Sequence, residues 1–183
     1  MNIRWHNQRF NSSQFHLFGI NNNVNLRKYI EVPPQFQSGI IKCRIIYDAE
    51  IRKVEFEPYR IKAIQSLKAI HSSIDYAFKY KDRKELHQLY ERRGDSDDIL
   101  IIKSGYVTDT YYGNVALMKN NKWYTPSEPL LPGTRRMDLL NKKKIVPLPI
   151  LLTSINKYSY ICIYNAMIPF RKIIIPISHI SVE

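Results

Sequence analysis

Residues 97–114 read DDILIIKSGYVTDTYYGN. The apolar, β-branched run Ile99–Ile102 has the length of a strand, and Ser104-Gly105 is typical of a tight turn. The run that returns after the turn carries one carboxylate, Asp109, among Thr, Tyr and Asn. The segment therefore predicts a β-hairpin with an acid on its second strand.

The patterns on either side of this hairpin predict a mixed fold. A further strand ends at Trp123–Pro126, and Gly133-Thr134 opens a helix that runs to Asn141. Further helices are predicted at 5–18, 26–30, 82–93 (capped by Asp82) and 150–156, and further strands at 39–47, 51–59, 63–71, 76–81, 158–164 and 172–177. The segment 63–71 also suits a helix. Strands outnumber helices and connections are short, so we expect an α+β architecture of two lobes, residues 1–74 and 75–183, with a cleft between them.

The composition is that of an ordinary folded protein. The chain has 183 residues, 44% of them hydrophobic, with only 6 Gly. Its apolar runs are shorter than a membrane span, and its first residues do not have the apolar core of a secretory signal. Cys43 and Cys162 lie in strand-like runs without the spacing of metal ligands, which predicts buried thiols in a reducing compartment. We therefore expect a cytoplasmic protein with no membrane partner and no metal site.

The net charge of +12 raises the question of a nucleic-acid partner. The basic residues are scattered, and none belongs to a zinc-finger, RNA-recognition or cold-shock motif. We therefore expect no nucleic-acid partner, and a basic nucleic-acid-binding domain remains the alternative. Surplus positive charge also suits an enzyme that binds a phosphate cofactor and a dicarboxylate substrate, or it serves solubility alone.

The order of these parts resembles the class IV aminotransferases, the pyridoxal-phosphate enzymes of fold type IV, and within them the aminodeoxychorismate lyases. The segments that carry the resemblance are His6–Phe10, 107–114, Leu130–Arg136 and Tyr164–Pro169. The resemblance implies pyridoxal 5'-phosphate as cofactor, a small amino substrate and a homodimer. Family members have two further strands before the helix of His6 and Arg9, so the first lobe is expected to lack its N-terminal strands.

The resemblance also assigns the residues nearest the cofactor ring. The cofactor aldehyde needs a lysine amine, and its pyridine nitrogen needs a carboxylate. Lys79 corresponds to the catalytic lysine, and Arg83 follows four positions later, as an arginine often does in the lyases. Lys81 is the alternative amine, because the period of a strand would put it on the same face as Lys79. Asp109 stands where the family usually has glutamate, and Asn114 matches a family asparagine that we expect to be structural.

The cofactor phosphate needs backbone N–H groups at a helix start and an arginine. The resemblance assigns Thr134 and Arg135 to the helix start, Arg9 to the arginine, and Asn165-Ala166 to a position beside the phosphate. Arg44, on an alternating strand, would hold a substrate carboxylate together with Arg83. The alternative is that Arg44 is an ordinary surface arginine with no role in binding.

These assignments favour an aminodeoxychorismate lyase-like reaction, in which elimination of pyruvate gives 4-aminobenzoate. A branched-chain or D-amino-acid aminotransferase is the first alternative. A degenerate family member without activity is the second, because the N-terminus is short and aspartate replaces glutamate at residue 109.

Overall fold

A computed structural model describes residues 3–183 and divides the chain into two compact units. One ends at Ile61 and the other spans Lys62–Glu183. The division predicted from sequence, after residue 74, differs because the strand Leu67–His71 pairs with strands of the second unit. No helix within residues 3–183 is both long and apolar enough to cross a membrane.

The first unit is a helix followed by a hairpin. Asn11 and Asn7 on the helix bond the backbone of Val24 and Leu26, which fixes the chain that leaves the helix. The ring of Phe10 lies 4.5 Å from that of Tyr47. The elements are α1 Ile3–Phe18, 3-10 turns at Leu26–Tyr29 and Pro34–Phe36, and the antiparallel strands β1 Ile41–Tyr47 and β2 Ile51–Pro58. All but the second 3-10 turn lie near their predicted places.

The second unit is a nine-stranded sheet with two α-helices. Its strands are β3 Leu67–His71, β4 Asp98–Lys103, β5 Tyr106–Thr110, β6 Asn114–Lys119, β7 Lys122–Pro126, β8 Val146–Leu148, β9 Tyr160–Tyr164, β10 Ile173–Pro176 and β11 Ile180–Val182. Its helices are α2 Lys84–Glu91 and α3 Thr134–Asn141, with 3-10 turns at Leu152–Lys157 and Ile177–His179. The sheet order is β10-β9-β6-β5-β4-β3-β11, with β7 also on β6 and β8 on β7.

The core of this unit is the parallel pair β3–β4. Leu67, Ala69 and Ile70 of β3 and the run Ile99–Ile102 of β4 have no solvent exposure. Strands buried in this way need apolar side chains on both faces, which agrees with the apolar run of β4. Burial also explains why residues 67–71 form a strand although their composition suits a helix, since packing outweighs propensity.

One predicted strand is wrong. Residues 76–81 are irregular, because Tyr76 is buried in an apolar cluster and its ring lies 6.0 Å from that of Tyr80. The helix after them begins at Lys84, and Asp82 accepts a hydrogen bond from the Lys84 amide at 2.9 Å. Strands β8 and β11 were not predicted, because each has three residues and pairs with a segment distant in sequence.

Candidate functional site

The end of β5 and the start of β6 meet the loop before α3 through one buried acid. Asp109 and Asn114 are direct partners across the two strands. The Asn114 Nδ2 atom donates to Asp109 Oδ1 at 2.7 Å and to the Leu131 carbonyl at 2.8 Å. The Leu131 amide donates to Asp109 Oδ2 at 2.9 Å. Asn114 thus has a structural role, in agreement with the prediction.

Asp109 is only 5% exposed, so it is not an ordinary turn aspartate in contact with water. Burial raises the pKa of Asp109 to about 7, and the hydrogen bonds from Leu131 and Asn114 and the charge of Arg136 oppose that rise. A carboxylate has about four acceptor positions, so each oxygen can accept a further bond. A cationic ring N–H would stabilise the ionised form that burial disfavours. The buried acid therefore fits the pyridine nitrogen of the expected cofactor.

The start of α3 joins a second loop through Arg135. Its Nε atom donates to the Asn165 carbonyl at 2.7 Å, and its Nη2 atom donates to the Ala166 carbonyl at 3.0 Å. Gly133 caps the helix without a side-chain hydrogen bond, and Thr134 is buried. An anion at this helix start would meet backbone N–H groups and the helix dipole, while the Arg135 guanidinium is engaged with the loop.

Two glycines permit this close approach. A Cβ atom on Gly133 would lie 2.0 Å from Asn114 Oδ1, and one on Gly113 would lie 2.4 Å from the Tyr164 carbonyl oxygen. Neither place has room for a methyl group. The start of α3 and the end of β9 can therefore reach the Asp109–Asn114 pair only because these positions have no side chain.

Lys79 is exposed in the irregular segment between β3 and α2, and so is Lys81. Lys81 was an alternative because a strand would place it on the same face as Lys79. The predicted strand is absent, so this argument has no structural basis. Tyr76 anchors the segment in an apolar cluster that also contains Leu130, the neighbour of Leu131. The lysine-bearing segment and the loop that bonds Asp109 thus pack into one cluster.

Arg83 faces the turn between β5 and β6. Its Nη2 atom donates to the Tyr111 carbonyl at 2.7 Å, and its guanidinium carbon lies 4.4 Å from the centre of the Tyr111 ring. These contacts are with the protein itself. Substrate binding by Arg83 stays a prediction.

Arg9 and Arg44 belong to the first unit. Arg9 is half-buried on α1. Arg44 is exposed on β1, and its guanidinium lies 3.9 Å from a carboxylate oxygen of Glu55 and 3.8 Å from one of Glu57. A substrate carboxylate at Arg44 would have to compete with both glutamates.

Sequence reasoning missed a second buried acid, Asp98. It has no solvent exposure, and its Oδ1 atom accepts a hydrogen bond from the Ile99 amide at 2.8 Å. Thr110 and the amides of Tyr111 and Tyr112 face the carboxyl group. In the sequence Asp98 follows Asp97 and precedes an apolar run, which is also the pattern of a solvated strand start.

Replacing Asp98 with Asn is expected to stabilise the protein increasingly as the pH rises. Burial raises the folded-state pKa of Asp98 to about 7. Between about pH 4 and pH 7 the folded protein keeps the Asp98 proton, whereas the unfolded chain releases it. The stability that protonated Asp98 contributes in full below about pH 4 is therefore lost as the pH rises through about 7. Asn carries no such charge. The free energy of unfolding of the variant minus that of the parent should rise by up to about 4 kcal/mol between those pH values. Urea denaturation at several pH values measures it, and a flat difference would contradict the prediction.

Several known proteins resemble this chain over most of its length. The profile of the family Amino-transferase class IV matches residues 45–174. An uncharacterized protein of Haemophilus influenzae strain Rd is 37% identical over 169 residues, which are 91% of this chain and 90% of that protein. The structure of a proposed 4-amino-4-deoxychorismate lyase from Haemophilus somnus 129PT is 34% identical with a TM-score of 0.84, over 91% of this chain and 89% of that one.

A more distant structure shares the fold alone. The pyridoxal-phosphate-bound form of a hypothetical aminotransferase from Mycobacterium tuberculosis is 14% identical with a TM-score of 0.71, over 93% of this chain and 74% of that one. These likenesses confirm the predicted fold type IV. The matched profile spans most of the chain, including Asp109, Asn114 and the start of α3. The chain belongs to the class IV aminotransferase family.

Proposed function

We propose that this protein is a pyridoxal-phosphate-dependent enzyme that acts on an amino substrate, with an aminodeoxychorismate lyase-like reaction. The observation that carries the proposal is the buried Asp109 carboxyl, held beside the start of α3 by Asn114 and Leu131. Membership of a pyridoxal-phosphate-dependent family supports it. A cytoplasmic homodimer is part of the same proposal.

Each residue would have a separate task at the cofactor. The Lys79 Nζ atom would bond the cofactor aldehyde, and Asp109 would accept a hydrogen bond from the ring nitrogen. The backbone N–H groups of Thr134 and Arg135 would bind the phosphate, with Arg9 as the guanidinium partner and Asn165-Ala166 beside them. When bound, the cofactor supplies an electron sink for the bond that breaks at the substrate.

The lyase reaction needs a base at the substrate α-carbon. Once the substrate amine displaces Lys79, the freed amine would take that α-proton. Loss of pyruvate then gives 4-aminobenzoate. The match of Tyr164–Pro169 to the lyases supports this reaction over transamination, as does the likeness to the H. somnus protein. Arg44 and Arg83 are our proposals for the residues that hold substrate carboxylates.

One observation favours a degenerate member that lacks activity. Aspartate is shorter than the usual glutamate, and both carboxylate oxygens of Asp109 already accept hydrogen bonds from the protein. The short Asp109 side chain, fixed by these two bonds, cannot move toward the cofactor ring. Binding of the cofactor separates this alternative from the enzyme.

Pyridoxal phosphate added to the purified protein is expected to produce a visible absorption band. Borohydride should then make the lysine–cofactor bond permanent, and mass spectrometry of a digest should find the label on Lys79. A label on Lys81 would show that the other amine is used. A colourless, unlabelled protein would favour the degenerate member. With the loaded protein, conversion of aminodeoxychorismate to 4-aminobenzoate and pyruvate would identify the lyase, whereas transfer of the amino group from an amino acid to a keto-acid acceptor would identify a transaminase.

A further inference from the structure

The strands on either side of residues 110–113 do not by themselves fix this turn. The β5–β6 ladder has one pair of opposing residues, Asp109 and Asn114, whereas β6 and β9 share five. On its other side, β5 is irregular. Leu100 opposes Thr110 and Ile102 opposes Val107, so two residues, Thr108 and Asp109, stand opposite Ile101. A bulge of this kind redirects a side chain and weakens local pairing. Thr110 ties the turn locally, because its amide donates to the Gly113 carbonyl at 2.8 Å and its Oγ1 atom accepts from the Gly113 amide at 3.1 Å. Further support comes from outside the turn.

Two side chains from distant segments supply that support. Arg83, just before α2, donates from Nη2 to the Tyr111 carbonyl at 2.7 Å. Asn165, after β9, donates from Nδ2 to the Tyr112 carbonyl at 2.8 Å. The two bonds hold consecutive peptide groups of the turn from two different elements.

Arg83 also ends a stack of four planar groups. Its guanidinium lies 4.4 Å from the Tyr111 ring, the Tyr111 and Tyr90 rings are 4.4 Å apart, and the Arg93 guanidinium lies 4.1 Å from the Tyr90 ring. The ring of Tyr112 contacts both tyrosines edge-on. Both arginines stack on a tyrosine ring, but their hydrogen bonds differ. Arg83 bonds the turn, whereas the Arg93 Nη1 atom bonds the carbonyl of Tyr90 itself at 3.1 Å.

We propose that Arg83 is a positioning residue, which acts through Tyr111 to hold Asp109 and Asn114 in the arrangement that bonds Leu131. A planar guanidinium can stack on the ring and bond the carbonyl at once, which an ammonium cannot. The effect on cofactor binding rests on the proposed function. The effect on the Asp109–Leu131 bond does not.

Hydrogen exchange in the cofactor-free protein tests the positioning directly. The Leu131 amide donates to Asp109, so its exchange rate reports whether that bond is kept. Arg83→Lys should speed this exchange by about tenfold, the loss expected for one hydrogen bond. Arg93→Lys is the matched control, because it removes the opposite end of the stack and leaves the turn bonded. Equal exchange of Leu131 in both variants would overturn the proposal.

A second pair of variants keeps the test decisive if Arg83→Lys does not fold. Tyr111→Phe retains the ring and the carbonyl and should leave Leu131 exchange unchanged. Tyr111→Ala removes the ring against which Arg83 stacks and should speed the exchange. If both variants behave alike, the stack does not transmit the position of Arg83, and the proposal fails.

Cofactor and substrate binding then separate positioning from direct substrate contact. Arg83→Lys should weaken pyridoxal-phosphate binding by about tenfold, while Arg93→Lys should not. A higher KM for the amino substrate with unchanged cofactor affinity and unchanged Leu131 exchange would show that Arg83 only binds substrate and does not position the turn, and would overturn the positioning proposal. If the parent protein binds no cofactor, the proposed function fails, but the exchange measurements still decide the role of Arg83.

Discussion

Replacing Lys79 with Ala is expected to abolish both the visible absorption band and the activity. The variant lacks the amine that would bond the cofactor aldehyde and move the α-proton, so turnover should fall by about 10³-fold or more. Lys79 is exposed in an irregular segment, so its removal should leave the unfolding temperature nearly unchanged. Absorbance after addition of pyridoxal phosphate, product formation and a thermal melt measure the three effects.

Lys81→Ala is the matched control for this experiment. Both lysines are exposed, lie two positions apart and precede the same helix. Lys81→Ala should keep the absorption band and the activity. The opposite pattern would move the catalytic role to Lys81. Loss of neither property in either variant would mean that the cofactor bonds neither of these lysines.

Gly133→Ala is expected to have the largest effect on stability. The new Cβ atom would lie 2.0 Å from Asn114 Oδ1. The Asn114 amide cannot simply turn away, because its nitrogen bonds both Asp109 and the Leu131 carbonyl. The backbone of Gly133, with φ −67°, would itself accept alanine, so the cost comes from the clash. We expect a loss of about 2–4 kcal/mol in the free energy of unfolding, measured by urea denaturation.

A double-mutant cycle with Asn114→Ala identifies the cause of that loss. Without the amide, the methyl group at residue 133 has room. Adding Gly133→Ala to Asn114→Ala should therefore cost about 1–3 kcal/mol less than adding it to the parent. Additive effects would mean that the glycine is required for another reason.

The sequence is sufficient to predict elements whose signals are local. Helix α3 occupies the predicted residues Thr134–Asn141, because Gly133 precedes a regular helical pattern. The hairpin β4–β5 follows from an apolar run and the Ser104-Gly105 turn, at which both residues have positive φ. The strand predicted at 76–81 is wrong because the conformation of this segment depends on the cluster in which Tyr76 is buried.

In the candidate site, too, the sequence predicts which residues take part but not the contacts that they make. The roles of Asp109 and Asn114 could be predicted through the family resemblance, and so could that of the helix start. Their mutual hydrogen bond could not, because it depends on a bulge in β5 and on the absence of a side chain at Gly133. The bond from Arg83 to Tyr111 joins residues 28 positions apart, and sequence patterns give no signal for such a contact.

The side chain of Arg135 has a consequence for how this protein can change during evolution. Surface turns between strands usually accept insertions and deletions freely. The turn after β9 is bound through the carbonyls of Asn165 and Ala166 to the first turn of α3. A change in the length of that turn would shift the helix tip although the two are 30 residues apart in sequence. We therefore expect homologous chains to vary in length elsewhere and to keep this turn constant.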